Sequence, residues 1–540
     1  MRKEWYKEGV VYQIWPRSFK DSNNDGIGDI PGIIEKIPYL KSLGIDIIWL
    51  SPVYKSPMED FGYDISDYKD IATEFGTMDD IKRLIKELHK VKIKLIMDLV
   101  VNHTSHEHEW FKKSVKREGK YTDYYHWEDK KVNWGSFFEK EAWTYNEDRK
   151  QYYLHLFAKG QPDLNWDNPD VREDVKSIIK FWLDLGIDGF RCDVINLIAK
   201  NNAHPNGKSA LFLRGKEHYL SHPNLHKYLH ELNRDVFSKY DCFTVGETVF
   251  VNPQVANLLT NPERKELDMV FQFDHIAADA RVVKWFIKKF KLMNLKKPLS
   301  KWQNKLNGKG WNTLYLENHD QPRSINRFGS LDYRYESATM LATMIYFQQG
   351  TPFIYQGQEI GTINAGFKDL KTYKDVETLN IYDLGRKLGF SHKRMMKKII
   401  YMSRDNSRTP MQWNGNKNCG FTDGKPWIDY NPHSKEINVD SDQKSDKSIF
   451  KFYQEIIKLR KIHPVIVYGH YNDIDFHNKQ IYSYRRYDKT TELIIVCNFT
   501  DKDIPYEERK THQVILHNYQ EHKEGSLQPY EARVYYKKLS

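Results

Sequence analysis

The chain has 540 residues, 83 Lys and Arg against 73 Asp and Glu, a net charge of +10 and 76 aromatic side chains (14 Trp, 35 Tyr, 27 Phe). That length exceeds the usual single domain, so two or three domains are expected. Acids and bases are interspersed and no nucleic-acid motif accompanies the modest positive charge, so no nucleic-acid partner is expected, and no run of about 18 apolar residues marks a membrane span. The exception to the mixed charge is the stretch from Arg281 to Lys305, rich in lysine and free of acids. It reads as a solvated face, with a phosphate-facing patch as the alternative.

Cys192, Cys242, Cys419 and Cys497 lie far apart and show no metal-ligand spacing. Neither a disulfide framework nor a zinc site is implied. The start, Met1-Arg2-Lys3-Glu4-Trp5, lacks the apolar core of a signal peptide, so a cytoplasmic, reducing setting is expected.

In chain order, Val10 to Ile14 is a strand candidate by its β-branched and aromatic content. The loop from Asp21 to Asp29 places Asp21, Asn23, Asp25, Ile27 and Asp29 at alternating positions around Gly26. Oxygen donors at that spacing resemble the first part of a calcium loop, but Gly32 stands where an EF-hand has Glu; an Asx-rich turn is the plainer reading.

A rhythm follows. A helical pattern over Ile33 to Leu43 precedes a strand at Ile45 to Leu50, and a second over Met78 to Val91 precedes Lys94 to Val100. A third, Val171 to Leu185, precedes Gly189 to Ile195, and Leu225 to Phe237 precedes Phe243 to Glu247. Met269 to Phe273, Thr313 to Leu316 and Pro352 to Tyr355 complete eight strands. Strands alternating with helices predict a parallel sheet, and eight of them fit a closed (β/α)8 TIM barrel.

Between 103 and 170 the rhythm stops in a segment rich in Tyr, Trp, His and charge, which predicts an inserted domain after the third strand. Residues 360–430 read as an elaboration after the last strand, and short alternating runs from Ile466 onward predict a C-terminal antiparallel β-sandwich. The expected division is a barrel over 1–102 and 171–465, an insert over 103–170 and a β-domain over 466–540.

Reactive residues of such barrels sit at the C-terminal ends of the strands. Those ends carry Asp98 with Asn102 and His103, then Arg191 and Asp193, then Glu247, then His319 and Asp320. Two carboxyl groups about 5 to 5.5 Å apart are what a retaining glycosidase uses, one as nucleophile and one as acid/base. By strand alternation Arg191 and Asp193 share a face, where the guanidinium is expected to keep the aspartate ionised. Alone, an Arg-x-Asp is more often a structural ion pair.

The segments Asp98 to His103, Gly189 to Asp193, Val245 to Thr248 and Asn318 to Asp320 resemble, in order, the four short conserved regions of the alpha-amylase superfamily. The runs Asn318 to Arg323, Gln161 to Asn165 and Arg404 to Trp413 are similar to its oligo-1,6-glucosidase branch. The resemblance implies Asp193 as nucleophile, Glu247 as general acid/base kept protonated by a less polar setting, and Asp320 as a carboxylate holding the sugar 2- and 3-hydroxyls. It further implies His103, His319, Gln161 and Arg191 as substrate contacts, Tyr63 stacked on the terminal glucose, and Asp64 with Arg404 closing the pocket. It also implies a structural Ca2+ in the Asp21 to Asp29 loop, no organic cofactor, and a monomer acting on small oligosaccharides.

Departures from the branch's usual residues are Cys192, Leu316-Glu317, Gln358 and Val249-Phe250; the last three bear on the aglycone side. The expected activity is a retaining, exo-acting α-glucosidase on terminal α-1,6-linked glucose, since Val194 after the nucleophile is typical of α-1,6-active members. One side chain sets such a preference by only about 1 to 3 kcal/mol. Maltosides, trehalose 6-phosphate and sucrose are the alternatives, although sucrose isomerases tend to have Asn where Gln321 stands. A catalytically dead binding module, like the barrel subunits of amino-acid transporters, is disfavoured because all three carboxylates are present.

Overall fold

The computed structural model describes residues 4–210, 212–281 and 283–539. Eight parallel strands form one sheet: β1 (Val11–Ile14), β2 (Ile47–Leu50), β3 (Lys94–Leu99), β4 (Gly189–Cys192), β5 (Phe243–Glu247), β6 (Met269–Phe271), β7 (Thr313–Leu314) and β8 (Thr351–Tyr355). The hydrogen-bonded order is β6-β5-β4-β3-β2-β1-β8-β7, which is the expected (β/α)8 TIM barrel. The strands are buried along nearly their whole length and read as runs of Ile, Leu, Val and Phe, as parallel strands covered on both faces must. The helical pattern expected over Ile33 to Leu43 is two helices, Ile30–Glu35 and Ile37–Leu43, each with a proline in its first turn.

The chain divides into two compact units. The first comprises Trp49–Lys90 and Lys94–Gln272 and carries β3 to β6. Its register sets Asp98 opposite Arg191, and Arg191 opposite Val245, two residues before Glu247. Strand β4 is shorter than the expected Gly189 to Ile195: it ends at Cys192. Asp193 lies just beyond it, its N–H bonded to the Leu99 carbonyl at 3.0 Å, and Val194 turns into the left-handed region (φ 34°, ψ 39°). A β-branched residue is costly there, and the strain turns the chain out of the sheet immediately after Asp193. At the strand's other end a Cβ on Gly189 would lie 2.1 Å from the Phe243 carbonyl oxygen, so only glycine lets β4 approach β5.

Between β3 and β4 lie a helix, Glu109–Val115, and a three-stranded antiparallel sheet of Trp127–Glu128, Gln151–Leu154 and Trp143–Asn146. Trp134, Trp143, Leu154 and Leu156 form a core that also takes in Val194 and Leu197, so the turn after Asp193 is braced by this segment.

The second unit comprises Glu4–Ile48, Val91–Ile93 and Phe273–Ser540 and carries β1, β7 and β8. The helices that follow β8 include α1 (Val376–Lys387) and α2 (His392–Met402). The C-terminal antiparallel sheet consists of β9 (His470–Ile474), β10 (Ile481–Tyr487), β11 (Thr491–Asn498), β12 (Gln513–His517) and β13 (Ala532–Lys538), in the order β9-β10-β11-β13-β12. Among the described residues no helix is long and apolar enough to cross a membrane. All four cysteines are buried free thiols.

One buried acid ties β1 to the turn after β8. The Tyr12 and Tyr39 hydroxyls both donate to Oε1 of the fully buried Glu359, each at 2.7 Å. Burial outweighs these donors and pushes the Glu359 carboxyl up to about 7 from an ordinary 4.5. The folded protein therefore keeps a proton that the unfolded chain releases. The stability this lends is intact below pH 4.5 and is lost as the pH rises toward about 7. The loss amounts to roughly 3 kcal/mol. Glu359→Gln, which has no proton to lose, is expected to show a smaller fall in Tm than the parent between about pH 5 and 8. Identical pH profiles for the two proteins would contradict this.

Candidate active site

In the first unit the centre is the Arg191 guanidinium, 2 % exposed. Its Nη1 donates to Asp98 Oδ1 at 2.6 Å and to Asp193 Oδ1 at 2.5 Å, and its Nη2 donates to Glu247 Oε2 at 2.7 Å. Trp49 Nε1 donates to the other Asp98 oxygen at 2.6 Å, and the Val194 N–H donates to Glu247 Oε2 at 3.2 Å. The guanidinium carbon lies 5.2 Å from the Trp49 ring centre and 5.7 Å from that of Tyr63. One planar cation thus gathers three carboxylates from the ends of three adjacent strands.

Burial lowers the affinity of Arg191 for its proton, but Glu247 and Asp98 more than reverse this and it stays charged. For Asp193, burial and the charge of Glu247, with which it shares a hydrogen bond, outweigh Arg191 and push the carboxyl up. Arg191 alone was expected to keep Asp193 ionised. Burial first, and the charge of the nearby Glu247 after it, invert that for Asp193.

Tyr63, His103 and Gln161 come together in the same unit. His103 Nε2 donates to the Tyr63 carbonyl at 3.1 Å, and its Nδ1 accepts from Asn102 Nδ2 at 3.1 Å. Burial lowers the His103 pKa to about 4, so the ring is neutral, with its ring N–H engaged by backbone. Gln161 Nε2 lies 3.3 Å from His103 Nε2 and donates to Asp60 Oδ2 at 3.0 Å. Asp64 does not join them. Its carboxylate accepts from Ser56 Oγ at 2.9 Å and from the backbone N–H groups of Asp60 at 3.0 Å and Glu59 at 2.9 Å, so it closes its own loop. Asp60 is the acid of this loop that faces the cluster, and it was missed. Two acids four residues apart gave no sign of which turns inward.

In the second unit Asp320 follows β7. Arg404 Nη1 and Arg408 Nη2 donate to its Oδ1 at 3.0 and 2.8 Å. His319 Nε2 lies 3.0 Å from its Oδ2. Gln13 Nε2 lies 2.7 Å from His319 Nδ1, which assigns the His319 proton to Nε2 and makes that nitrogen the donor to Asp320. The ring stacks on Trp15 at 5.1 Å. Burial pushes the Asp320 carboxyl up, but His319, Arg404 and Arg408 together hold it well below the carboxylate range. Arg404 is clamped in turn by Asp375, its Nη2 donating at 2.6 Å. Gln13, Asp375 and Arg408 were not anticipated.

The Asp21 to Asp29 loop satisfies its acids internally. Asp21 accepts from the N–H groups of Asn23, Asn24 and Gly26, and Asp25 from that of Ile27. Asp29 takes the Ser22 hydroxyl and caps the helix at Gly32. Among the described residues no three His, Cys, Asp or Glu side chains gather as a metal centre. The loop's donors are all oxygen, which is the chemistry calcium prefers, and carboxylate oxygens keep lone pairs beyond these N–H bonds.

Residues 13–469 match the alpha amylase catalytic domain, and residues 483–537 match a beta-galactosidase C-terminal domain. An oligo-1,6-glucosidase of Parageobacillus thermoglucosidasius is 51 % identical over 99 % of both chains. The solved trehalose-6-phosphate hydrolase of Bacillus licheniformis is 44 % identical over 98 % of this chain and 99 % of its own, with a TM-score of 0.94. The isomaltulose synthase of Klebsiella sp. LX3 is 40 % identical over 99 % of this chain and 100 % of its own, with a TM-score of 0.95. The chain belongs to the alpha-amylase family of glycoside hydrolases.

The two loop acids are separable by mutation. Asp64→Ala is expected to cost about 1–3 kcal/mol, read as a lowered Tm, because it strands two backbone N–H groups and a hydroxyl. Asp60→Ala is expected to lower Tm less, because Gln161 Nε2 keeps the Tyr63 carbonyl as an acceptor at 3.4 Å, and to lower kcat/KM for glycoside hydrolysis. The reverse pattern would contradict the assignment.

Proposed function

We propose that this chain is a retaining, exo-acting α-glucosidase that releases terminal α-1,6-linked glucose from small isomalto-oligosaccharides. The observation that carries the reading is the placement of Asp193 and Glu247 on the two terminal nitrogens of one guanidinium. Carboxyls this near match the closer spacing of retaining enzymes, not the wider gap that inverting enzymes need for water.

In this reading an Asp193 oxygen attacks the anomeric carbon as the glycosidic C–O bond breaks, and the Glu247 carboxyl gives its proton to the departing oxygen. A β-glucosyl ester on Asp193 results. Glu247, now ionised, takes a proton from water, whose oxygen attacks the same carbon and frees Asp193 with the α configuration kept. The positive charge developing at the sugar favours Asp193 as the ionised partner, which leaves the pair's proton for the departing oxygen. Asp320, held ionised by two guanidinium groups and His319, has the character of a carboxylate that binds sugar hydroxyls.

Val194 and the oligo-1,6-glucosidase relative support the linkage. Trehalose 6-phosphate is the second reading, supported by the likeness to a hydrolase of that name. A cytoplasmic monomer is part of the proposal, and four free buried thiols suit a reducing compartment.

Asp193→Asn is expected to lower kcat on isomaltose by at least roughly 10^4-fold without unfolding the protein. Glu247→Gln is expected to lose isomaltose hydrolysis but retain far more activity on an aryl glucoside, whose leaving group needs no proton. Substantial turnover by pure Asp193→Asn would contradict the assignment. Release of glucose from trehalose 6-phosphate or maltose but not from isomaltose would overturn the linkage.

Calcium binding is also proposed, on the oxygen-only donors of Asp21, Asn23, Asp25, the Ile27 carbonyl and Asp29. The ion would hold the loop and take no part in the reaction. Chelation is expected to lower Tm, and added Ca2+ to restore it; a Tm indifferent to both would exclude the site.

A further inference from the structure

The second unit contains a cavity of about 1120 Å³ whose lining includes seven cations and no acid: Arg327, which is paired with Asp279 behind it, and Arg281, Lys288, Lys289, Arg394, Lys397 and Lys398. Apart from Arg327, none of them makes an ion pair with a carboxylate among the described residues. The other six come from two separate segments. Arg281, Lys288 and Lys289 lie on the stretch that follows β6, and Arg394, Lys397 and Lys398 share one face of α2 at i, i+3 and i+4. Phe286, Phe290, Leu331 and Ile400 add apolar surface to the same lining. Phe286 and Leu331 are 54 % and 51 % exposed, although both are large hydrophobic side chains. Asp320, Arg404 and Arg408 do not line the cavity.

A solvated basic face is normally convex and interleaved with acids. Here cations from two separate segments line one concavity together with exposed aromatic surface. Bringing like charges together costs free energy that an anion between them would recover. Burial and the neighbouring Arg394 already lower the Lys398 pKa. Lys398 also sits over the Phe286 ring at 5.0 Å.

We propose that this cavity binds the phosphate monoester of a small sugar. A phosphate dianion accepts several charge-assisted hydrogen bonds at once, as lysine and arginine from two segments can supply. The apolar C–H face of a pyranose suits Phe286 and Phe290. The volume suits a ligand of hexose- to disaccharide-phosphate size, whereas a polymeric anion needs an open stripe. The site is separate from the hydrolytic reading and stands or falls without it.

The test is calorimetric titration of the full chain with glucose 6-phosphate, glucose and inorganic phosphate, on the parent and on Lys289→Glu and Lys397→Glu. Both positions are exposed, so folding, checked by Tm, is expected to be retained. Glucose 6-phosphate is expected to bind saturably at one site, glucose not at all, and each charge reversal to weaken binding at least about tenfold. Hydrolysis of an aryl α-glucoside is expected to be unchanged in both variants. Absence of saturable binding to the parent, or binding that survives both reversals, overturns the proposal. Inorganic phosphate binding as tightly as the sugar phosphate overturns the sugar part of it.

Discussion

A single guanidinium, that of Arg191, holds Asp98, Asp193 and Glu247 within 2.5 to 2.7 Å. Three buried carboxylates with no cation would repel one another and take up protons, and one buried cation with no acid would be costly. Removing one partner of such a cluster typically costs about 3–5 kcal/mol, close to what a domain can lose before it unfolds. The parallel register makes the cluster possible by setting Asp98 directly beside Arg191, and Glu247 one side-chain repeat beyond Arg191's other neighbour, Val245.

The same constraint accounts for the local strain. Asp193 meets Arg191 because β4 stops at Cys192 and the chain turns at Val194 in a conformation that valine avoids. That turn presents the Val194 N–H to Glu247, and the Val194 side chain is held in the apolar core built by the segment between β3 and β4. Packing some distance away in sequence thus maintains the backbone geometry on which the carboxyl pair depends.

The eight strands and the four motif-bearing strand ends were legible because each depends on local pattern: short apolar runs, helix-strand alternation and fixed spacing of acids. What was hidden depends on partners distant in the chain. Strand alternation carries Arg191 and Asp193 on one face, yet the end of β4 is decided by Val194 and Glu247, so the contact exists for a different reason than periodicity suggests. Asp60 and Asp64 look alike as residues; only the N–H groups of the folded loop show that Asp64 is spent on them. Asp375, which clamps Arg404, precedes it by 29 positions with no motif between. The helix break at Lys36 did have a signal, in Pro31 and Pro38, each of which stands in a first turn.

The central claim is that Asp193, not its neighbours, forms the bond to the sugar. The direct measurement is to trap that bond with a 5-fluoro-α-glucosyl fluoride, digest the protein and locate the added mass by tandem mass spectrometry. One label is expected, on the Asp193 carboxylate, with none on protein pre-incubated with a competitive inhibitor. A label on Glu247 or Asp98, or turnover of the reagent with no covalent species, would contradict it.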